Sequence, residues 1–435
     1  MVAGSNPAAP TTDYMKKDKV VIIGGGLQGL ATANALIDRG IDVLVLERNK
    51  DVANEASFAN GGMLTPSHAI PWNHLDDIKS ILSGIGRKDS PMVLDIKSIP
   101  SLFVWGLKFL ANSSHKKFIR NAQHIYSLAS YSKKLTVNIR RKEKFSYDNR
   151  SQGSLKIFRS EEHLNKTEKL SKKIFGSKKR NKILTSDELV TLEPALENIK
   201  SELVGGMYYR EDEIGDAYKF CKLLEETIRL KGGRILTNNN IKKILLHKGK
   251  INCVVTDRAI INTNNLVVTA GSWSSSLLRL VGIKLPVKPV KGYSLTLDTY
   301  GVNHAPKLGL VDESIHTAIA PLGNRIRIAG TAEFSGFNTS IHEKRQQYLY
   351  RMLEMIYPKL YENIDKDLGK FWYGFRPMSP DGLPYIGPTS IPGVYVNTGH
   401  GHLGWTLAMG SAELFADLFL EQETEIAPEP YLIGR

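Results

Sequence analysis

The sequence predicts an α/β fold in which a Rossmann-like domain is joined to a mixed α+β domain. The first observation is the apolar run Val20–Ile23, which predicts a buried strand and leads directly into glycines at G-x-G-x-x-G spacing, Gly24, Gly26 and Gly29. A helical pattern follows, and the apolar run Val43–Leu46 then predicts a second strand. Strand, glycine turn, helix and strand in this order make the βαβ unit of a Rossmann-like fold.

The glycine turn predicts a dinucleotide-binding site. Gly24 allows the tight turn, Gly26 lets the backbone approach a pyrophosphate, and Gly29 lets the helix pack on the strand, while the helix N-terminus offers free N–H groups. Glu47 lies twenty-one residues after Gly26, where its carboxylate can hold a ribose diol. Because Glu47 would repel a 2′-phosphate in spite of Arg48 beside it, the sequence favours FAD or NAD over NADP.

Length and composition restrict the remaining possibilities. A chain of 435 residues exceeds what one core usually supports, so two domains are expected. The only cysteines are Cys221 and Cys253, which predicts no disulfide framework and no cysteine-based metal site, and favours a reducing, cytoplasmic compartment. Residues 1–15 lack the features of a signal peptide and are expected to form a disordered extension. No run of about eighteen apolar residues predicts a transmembrane helix.

Several elements are predicted between the first unit and the middle of the chain. Residues 57–66 form a small-residue loop suited to lying flat against a planar ring, although a plain surface loop has the same composition. A short strand is predicted at Ser154–Phe158, a solvated loop around residues 177–180, and an amphipathic helix over residues 216–230. A buried strand over residues 265–271 ends in a glycine turn. This late return of the strand-and-turn pattern implies that the nucleotide domain is discontinuous.

The C-terminal half predicts a sheet and two motifs. Residues 286–297 and 325–331 alternate apolar and polar side chains, which predicts a half-exposed sheet that forms one wall of a substrate cavity. Residues 372–387 are rich in proline and glycine and are interpreted as a rigid loop displaying Arg376, whose structural alternative is an ion pair with Asp381. The glycine-rich turn 399–404 leads into a helix whose N-terminus would direct N–H groups at an anion.

Positive charge is concentrated in one stretch. Residues 81–182 contain 24 lysines and arginines against 7 aspartates and glutamates, whereas the whole chain has a net charge of +14. From Ser101 the pattern is helical, amphipathic, basic and aromatic. Three interpretations stay open. The first is a helix whose basic face is solvated and whose apolar side packs on its own domain. The second is peripheral contact with anionic lipid at the inner face of the cell membrane, and the third, which is the least favoured, is binding to nucleic acid.

Taken together, these motifs resemble those of the FAD-dependent amine oxidoreductases of the D-amino-acid oxidase, glycine oxidase and sarcosine oxidase superfamily. The resemblance runs from about Val20 to the C-terminus, and residues 290–296, 324–327 and 397–401 are similar to those of the bacterial D-amino-acid dehydrogenases. It implies hydride transfer from the α-carbon of a D-amino acid without a fixed protein base, giving a 2-oxo acid and ammonia, with electrons passed to a quinone or another non-oxygen acceptor. The alternatives are a sarcosine-, glycine- or proline-type amine oxidase that produces hydrogen peroxide, and an RNA-modifying flavoprotein.

The resemblance also implies a domain division and a set of site residues. The FAD-binding domain would comprise residues 16–90, 206–284 and 373–435, and the substrate domain residues 91–205 and 285–372. FAD would be noncovalent, because no cysteine lies near Arg376, and no metal is expected. Arg376 would clamp the substrate carboxylate, and Tyr293 would be a second catalytic residue. The implied FAD contacts are Val21, Ile23, Gly24, Gly25, Gly26, Leu27, Gln28, Gly29, Glu47, Arg48, Ser57, Asn60, Gly61, Gly62, Met63, Ala270, Gly271, Gly399, His400, Gly401, Leu403 and Gly404.

Overall fold

The computed structural model describes residues 19–74, 78, 81, 92–176 and 181–435. The predicted extension 1–15 and the predicted loop at 177–180 lie outside these residues. The strands are β1 (Val20–Ile23), β2 (Val43–Leu46), β3 (Met63–Leu64), β4 (Met92–Leu94), β5 (Ser154–Phe158), β6 (Asn181–Leu184), β7 (Gly205–Tyr209), β8 (Glu213–Ile214), β9 (Arg234–Leu236), β10 (Ile241–His247), β11 (Lys250–Thr256), β12 (Ile260–Asn262), β13 (Asn265–Val268), β14 (Lys288–Asp298), β15 (Gly309–Asp312), β16 (Thr317–Leu322), β17 (Arg325–Phe334), β18 (Lys370–Met378), β19 (Tyr385–Pro388) and β20 (Val394–Thr398).

The α-helices in this part of the chain are α1 (Leu27–Ile37), α2 (Ile99–Ala111), α3 (His115–Lys142), α4 (Glu161–Phe175), α5 (Ser186–Leu192), α6 (Ala217–Leu230), α7 (Ser274–Arg279), α8 (Glu343–Ile356), α9 (Pro358–Asn363) and α10 (Gly404–Phe419). The helix predicted over residues 216–230 is confirmed as α6, and Asp216 caps it by accepting hydrogen bonds from the N–H groups of Tyr218 and Lys219. Among the described residues, no helix combines the length and apolar character needed to cross a membrane.

A six-stranded sheet carries the predicted βαβ unit, in the strand order β19-β20-β13-β1-β2-β9. β1 pairs in parallel with both β2 and β13, and all four of its residues are buried. Helices α1 and α10 pack together against the sheet in one hydrophobic core. Because α1 begins at the carboxyl end of β1, where the strand order reverses, the crevice there is the switch point at which such sheets bind ligands. The predicted α/β fold class is confirmed.

The second large sheet has the order β18-β14-β17-β16-β15-β5-β7-β6, and β4 pairs with β17. The prediction that its central strands are half-exposed is wrong, because nine of the eleven residues of β14 are buried. Leu349 and Met352 of α8 pack in one core with Leu295 and Ile328 of the sheet. Ser294 of β14 donates to the carbonyl of Ala59 at 2.7 Å, so the loop 57–62 also contacts this sheet. The alternating pattern cannot reveal that both faces are covered.

The sheets suggest where the two proposed domains divide. β7 and β18 belong to the larger sheet, so a division by sheet membership falls after Tyr209 and after Met378, a few residues beyond the predicted boundaries 206 and 373. The helical region predicted from Ser101 consists of two helices, α2 and α3, separated by residues 112–114. Most of its positive charge is carried by α3, while α2 contains one charged residue, Lys108. The boundaries remain a proposal.

Candidate active site

A cavity of about 1170 Å³ is lined by residues of both large sheets. Its lining extends from the turn between β1 and α1, along the loop 57–65, to Arg376 on β18. Sites for a single small ligand usually measure roughly 300–1,000 Å³. The cavity is therefore large enough for a dinucleotide together with a small substrate.

The turn between β1 and α1 uses its glycines for two different purposes. Gly24 has a φ of +112°, and a Cβ atom on Gly29 would lie 1.8 Å from the carbonyl oxygen of Gly24, so both positions need glycine for the protein's own packing. At Gly26 the nearest atom to an added Cβ is Oγ of Ser57, 3.6 Å away. Gly26 thus leaves space in the cavity wall, as the close approach of a pyrophosphate requires.

Glu47 and Arg48 lie where the adenosine half of a dinucleotide is expected. The Glu47 carboxylate accepts hydrogen bonds from the N–H groups of Gly25 and Asn49, at 2.7 and 2.8 Å, and burial raises the pKa of its carboxyl group. The Arg48 guanidinium lies 3.8 Å from the centre of the Trp273 ring, which also lines the cavity. Trp273 was not among the predicted contacts, although it directly follows the predicted glycine turn at Gly271.

The loop 57–65 is held against the cavity from several sides. Ser57 Oγ accepts a hydrogen bond from the Leu27 N–H at the start of α1, at 3.1 Å, and Asn60 Oδ1 accepts one from the Gly62 N–H at 3.0 Å. The N–H of Thr65 donates to Oγ1 of Thr406, on α10, at 3.2 Å. These bonds give the loop a fixed backbone, so the flat-surface interpretation is favoured over that of a plain surface loop.

The glycine-rich turn before α10 faces the same cavity. Gly399 and Gly401 have positive φ angles of 84° and 58°, and the N-cap of α10, Leu403, provides no side-chain hydrogen bond. The His400 Nε2 atom lies 2.9 Å from Ser411 Oγ, while its Nδ1 atom has no partner among the described residues, and burial lowers the pKa of His400 to about 3. An uncapped helix start and an unpartnered buried nitrogen both fit a polar ligand such as a flavin ring.

The cavity brings together most, but not all, of the predicted FAD contacts. Val21 is packed in the hydrophobic core on β1 and does not line the cavity. Gly25, Gly29 and Gly399 do not line it either. The predicted contacts that do line it are Ile23, Gly24, Gly26, Leu27, Gln28, Glu47, Arg48, Ser57, Asn60, Gly61, Gly62, Met63, Ala270, Gly271, His400, Gly401, Leu403 and Gly404.

Arg376 lies on strand β18, opposite Val290 of β14, and the prediction that it sits in a rigid loop is wrong. In the described part of the chain β18 is the edge strand of its sheet, and an edge strand tolerates a proline such as Pro377 because one of its sides does not need backbone N–H donors. The Arg376 side chain lies over Gly292, where an added Cβ atom would come within 2.2 Å of Nη1. Glycine at position 292 therefore leaves the room that the guanidinium needs.

The Arg376 guanidinium is a half-buried cation, and no counterion lies beside it among the described residues. Its Nη1 atom donates to the carbonyl of Thr331 at 2.8 Å, and burial lowers its pKa to about 10. Within the described residues no carboxylate pairs with it, and the alternative of an Asp381 ion pair is wrong because Asp381 pairs with Arg435 at 2.9 Å. A charge that is partly withdrawn from water and has no partner is costly. Its position at the cavity wall therefore indicates an anionic ligand.

Other side chains complete this end of the cavity. The rings of Trp72 and His402 are stacked with centroids 4.7 Å apart, and Cζ of Arg376 lies 5.4 Å from the centre of the Trp72 ring. Burial, together with the nearby Arg376 charge, lowers the pKa of His402 to about 3, so the imidazole is neutral. The sequence shows Trp72 only as an isolated aromatic residue in a loop. Its proximity to Arg376 depends on a long-range contact that no local pattern reports.

Tyr293, predicted as a second catalytic residue, is buried on β14 and lines the cavity. Its hydroxyl donates to Oε2 of Glu333 at 2.8 Å. Burial and this carboxylate raise the pKa of the Tyr293 hydroxyl above its usual value. The proton is thus engaged by Glu333, and the catalytic role of Tyr293 stays a prediction.

A Rossmann-like sheet with a dinucleotide cradle, facing a second sheet that carries a half-buried cation at the cavity wall, is the arrangement expected of an oxidoreductase of the FAD-dependent class. The family described as FAD dependent oxidoreductase (DAO) matches residues 19–418, and the chain belongs to this family. The predicted FAD cofactor is therefore confirmed.

Individual relatives agree with this family assignment. The chain is 36% identical over 417 residues to the D-amino acid dehydrogenase of Bradyrhizobium diazoefficiens, covering 96% of this chain and 98% of that protein. Among solved structures, it is similar to the L-proline dehydrogenase of P. horikoshii, with a TM-score of 0.75, 18% identity and coverage of 96% and 97%. The glycine oxidase of Bacillus cereus gives a TM-score of 0.72 at 24% identity, with coverage of 94% and 99%.

Proposed function

We propose that the protein oxidises D-amino acids to imino acids, which water hydrolyses to 2-oxo acids and ammonia. The observation that carries this proposal is Arg376, a half-buried guanidinium at the cavity wall whose charge no carboxylate of the described residues neutralises. A substrate carboxylate would supply the missing negative charge. The D-amino acid class is supported by the relative named D-amino acid dehydrogenase, which aligns over nearly the whole chain.

Each end of the cavity has its own task in this proposal. The residues around Gly26, Glu47 and the start of α10 hold FAD, which when bound supplies the acceptor for the hydride of the α-carbon. Arg376 grips the carboxylate and so fixes the orientation of the α-carbon, because a guanidinium forms two parallel hydrogen bonds with a carboxylate. The neutral His402 adds no second cation to this grip. No side chain is assigned as a general base.

The proposal includes noncovalent FAD and a quinone as electron acceptor, reached at a membrane surface. Cys221 and Cys253 are both buried, and neither lines the cavity, which supports the absence of a cysteine link to FAD. The quinone is supported by the resemblance to dehydrogenases rather than oxidases. Support for a membrane surface comes from the basic residues between 81 and 182.

Anaerobic mixing with D- and L-alanine tests the substrate class. We expect D-alanine to bleach the visible absorbance of the flavin and L-alanine to leave it unchanged. In air, slow peroxide formation together with fast reduction of a soluble quinone would support a dehydrogenase. Fast peroxide formation from sarcosine, glycine or L-proline would instead favour the amine-oxidase alternative, and a flavin that none of these compounds reduces would refute both.

A further inference from the structure

Helix α2 is apolar on both of its faces. Leu102, Trp105 and Phe109 point to the protein interior and are buried. On the opposite side, Phe103, Val104, Leu107 and Leu110 have exposed fractions of 62%, 66%, 54% and 53%. We call the outward residues Ile99, Phe103, Val104, Leu107 and Leu110, with Ile96 just before the helix, the α2 face. A surface helix normally places polar residues on its outer side.

The inner side of α2 is firmly attached to the larger sheet. Leu102 and Trp105 pack in one cluster with Val290, Phe334 and Met378, and Trp105 Nε1 donates to the carbonyl of Met378 at 3.1 Å. Among the described residues, these contacts hold the helix by its inner side. Contiguous exposed apolar surface of this kind marks an interaction site in natural proteins.

The charges around the α2 face indicate what it contacts. The helix contains no acidic residue, its one charged residue is Lys108, and the exposed Lys97, Lys116 and Lys117 flank its two ends. Lys117 Nζ donates to the carbonyl of Ala111 at 2.9 Å, at the C-terminal end of the helix. A two-fold contact with a second copy would bring these cations against one another. An anionic bilayer, in contrast, offers an apolar layer beneath negatively charged headgroups.

We propose that the α2 face inserts into the interface of an anionic lipid bilayer, with the flanking lysines at the headgroups. This narrows the predicted membrane contact from the whole basic stretch to one helix, and it gives the main role to exposed apolar side chains. Met92 and Trp72 pack in the cluster beneath α2 and also line the cavity. Helix α2 and this cluster of side chains thus lie between the bilayer and the cavity, which places a lipophilic acceptor in the bilayer near the cavity. This last step rests on the proposed function, whereas the docking does not.

Vesicle co-sedimentation of the FAD-loaded enzyme tests the docking. We expect binding to vesicles of phosphatidylcholine and phosphatidylglycerol in equal parts, weaker binding at high salt, and little binding to phosphatidylcholine alone. The double variant Phe103→Gln, Leu107→Gln should lose at least tenfold in affinity for the anionic vesicles. The matched control Leu230→Gln removes an exposed leucine from α6, where the side chain is 80% exposed, and should bind as the native protein does.

Reduction of a soluble dye by D-alanine monitors the fold, and it should be unchanged in all variants. Failure of the native protein to bind anionic vesicles, or full binding by the double variant, would overturn the proposal. Sedimentation velocity without lipid measures whether the protein forms a dimer through the α2 face. A dimer that the double substitution dissociates, in a protein that binds no vesicles, would show that a second copy covers this face and would also overturn it.

A separate observation concerns Thr331, whose backbone is strained. Its φ angle is +64°, in the left-handed region that β-branched residues rarely adopt. The pairing of β14 with β17 shifts register here, between Lys291 and Tyr293, as in a β-bulge. Thr331 lies in this bulge, and its carbonyl accepts the hydrogen bond from Arg376. Its buried Oγ1 atom has no partner within the described part of the chain. Strain of this kind is concentrated at functional sites.

We infer that the Thr331 hydroxyl donates a hydrogen bond to the substrate carboxylate beside Arg376. Thr331 lines the cavity, and its carbonyl accepts the hydrogen bond from Arg376 Nη1, so this residue and the guanidinium belong to the same corner of the cavity. This role rests on the proposed function for one point, namely that the ligand carries a carboxylate. Thr331 becomes a second determinant of substrate affinity that also positions the arginine.

Titration with a 2-oxo acid, followed by the flavin spectrum, tests this role without turnover. Thr331→Val keeps the branched shape and removes the hydroxyl, and we expect about tenfold weaker binding and a higher KM with FAD content unchanged. Thr331→Ser keeps the hydroxyl and should retain most of the affinity. Equal binding of the 2-oxo acid by all three proteins would contradict the inference, and so would equal losses of affinity in Thr331→Val and Thr331→Ser. Native protein that binds no 2-oxo acid at all would refute the proposed function instead.

Discussion

The two ends of the cavity recognise their ligands by different means. At the β1–α1 turn the site consists of backbone and of glycines that leave space, and the Glu47 carboxylate is already hydrogen-bonded to the N–H groups of Gly25 and Asn49. At the other end the site depends on one side chain, Arg376, which is half-buried and whose charge is unpaired in the described residues. At the first end the polar groups are already hydrogen-bonded within the folded protein. At the second end the positive charge of Arg376 is neutralised when an anionic ligand binds.

This difference predicts two kinds of failure. Substitutions at the glycine end should act on folding or on FAD retention, because the backbone itself forms the site. Substitutions at the arginine end should leave fold and FAD intact and act on the substrate. The four experiments below test this separation.

The largest effect is expected for Gly29→Ala. The added Cβ would lie 1.8 Å from the carbonyl oxygen of Gly24, and neither backbone can yield without separating α1 from β1. We expect a loss of about 3 kcal/mol or more in the free energy of unfolding, measured by thermal or urea denaturation. The control is Gly106→Ala, in helix α2, where no atom lies within 4 Å of the new Cβ; it should be neutral or stabilise by up to about 1 kcal/mol. Equal stability of the two variants would refute this account of Gly29.

Gly26→Val should separate folding from cofactor binding. Space around Gly26 is limited only by Ser57 Oγ, 3.6 Å from an added Cβ, so the protein should fold, but the valine would occupy the place of the pyrophosphate. We expect a colourless protein whose circular dichroism matches the native one, while Gly106→Ala stays yellow. Acid treatment of native protein should release FAD into the supernatant. A yellow Gly26→Val protein would disprove the proposed position of the pyrophosphate.

Arg376→Lys should affect the substrate alone. A lysine cannot form the paired hydrogen bonds of a guanidinium, so we expect kcat/KM for D-amino acids to fall by about 2–3 kcal/mol, roughly 30- to 160-fold, with normal FAD content. Arg435→Lys is the matched control, since Arg435 pairs with Asp381, and it should stay within about threefold of native activity. Full activity of Arg376→Lys, or joint loss of FAD and stability, would show that Arg376 is not the carboxylate anchor.

The smallest effect is a pH dependence at the arginine end. Burial lowers the pKa of Arg376 to about 10, and only the protonated guanidinium attracts a carboxylate. Affinity for a 2-oxo acid, which carries no titrating ammonium group, should therefore be lost as pH rises above about 10, roughly tenfold per unit. Flavin absorbance between pH 7 and 11 measures this. Loss of affinity already between pH 6 and 8 would assign the anchor to a different group.

The order of the elements and the dinucleotide end could be predicted from sequence because their signals are local. Glycine spacing, an apolar strand and a following helix report on residues that are neighbours along the chain, and β1, α1 and β2 form as predicted. The partners of Glu47 are likewise only a turn or a single βαβ unit away. The same local logic failed for the first part of residues 372–387, where proline and glycine indicated a loop but residues 372–378 pair with β14 as part of β18.

The sequence by itself predicted the fold class and a dinucleotide-binding site, since both depend on residue types at fixed spacing, whereas the choice of FAD and the role predicted for Arg376 came from the resemblance to a known family. Only the tertiary structure decided the surroundings of Arg376. Thr331 and Trp72 lie 45 and 304 residues away along the chain, and contacts at such separations come from sheet pairing and packing, which leave no periodic trace. The tertiary structure also decided which side of α2 is exposed. A helix that is apolar on all sides does not reveal from its sequence which side the protein will cover.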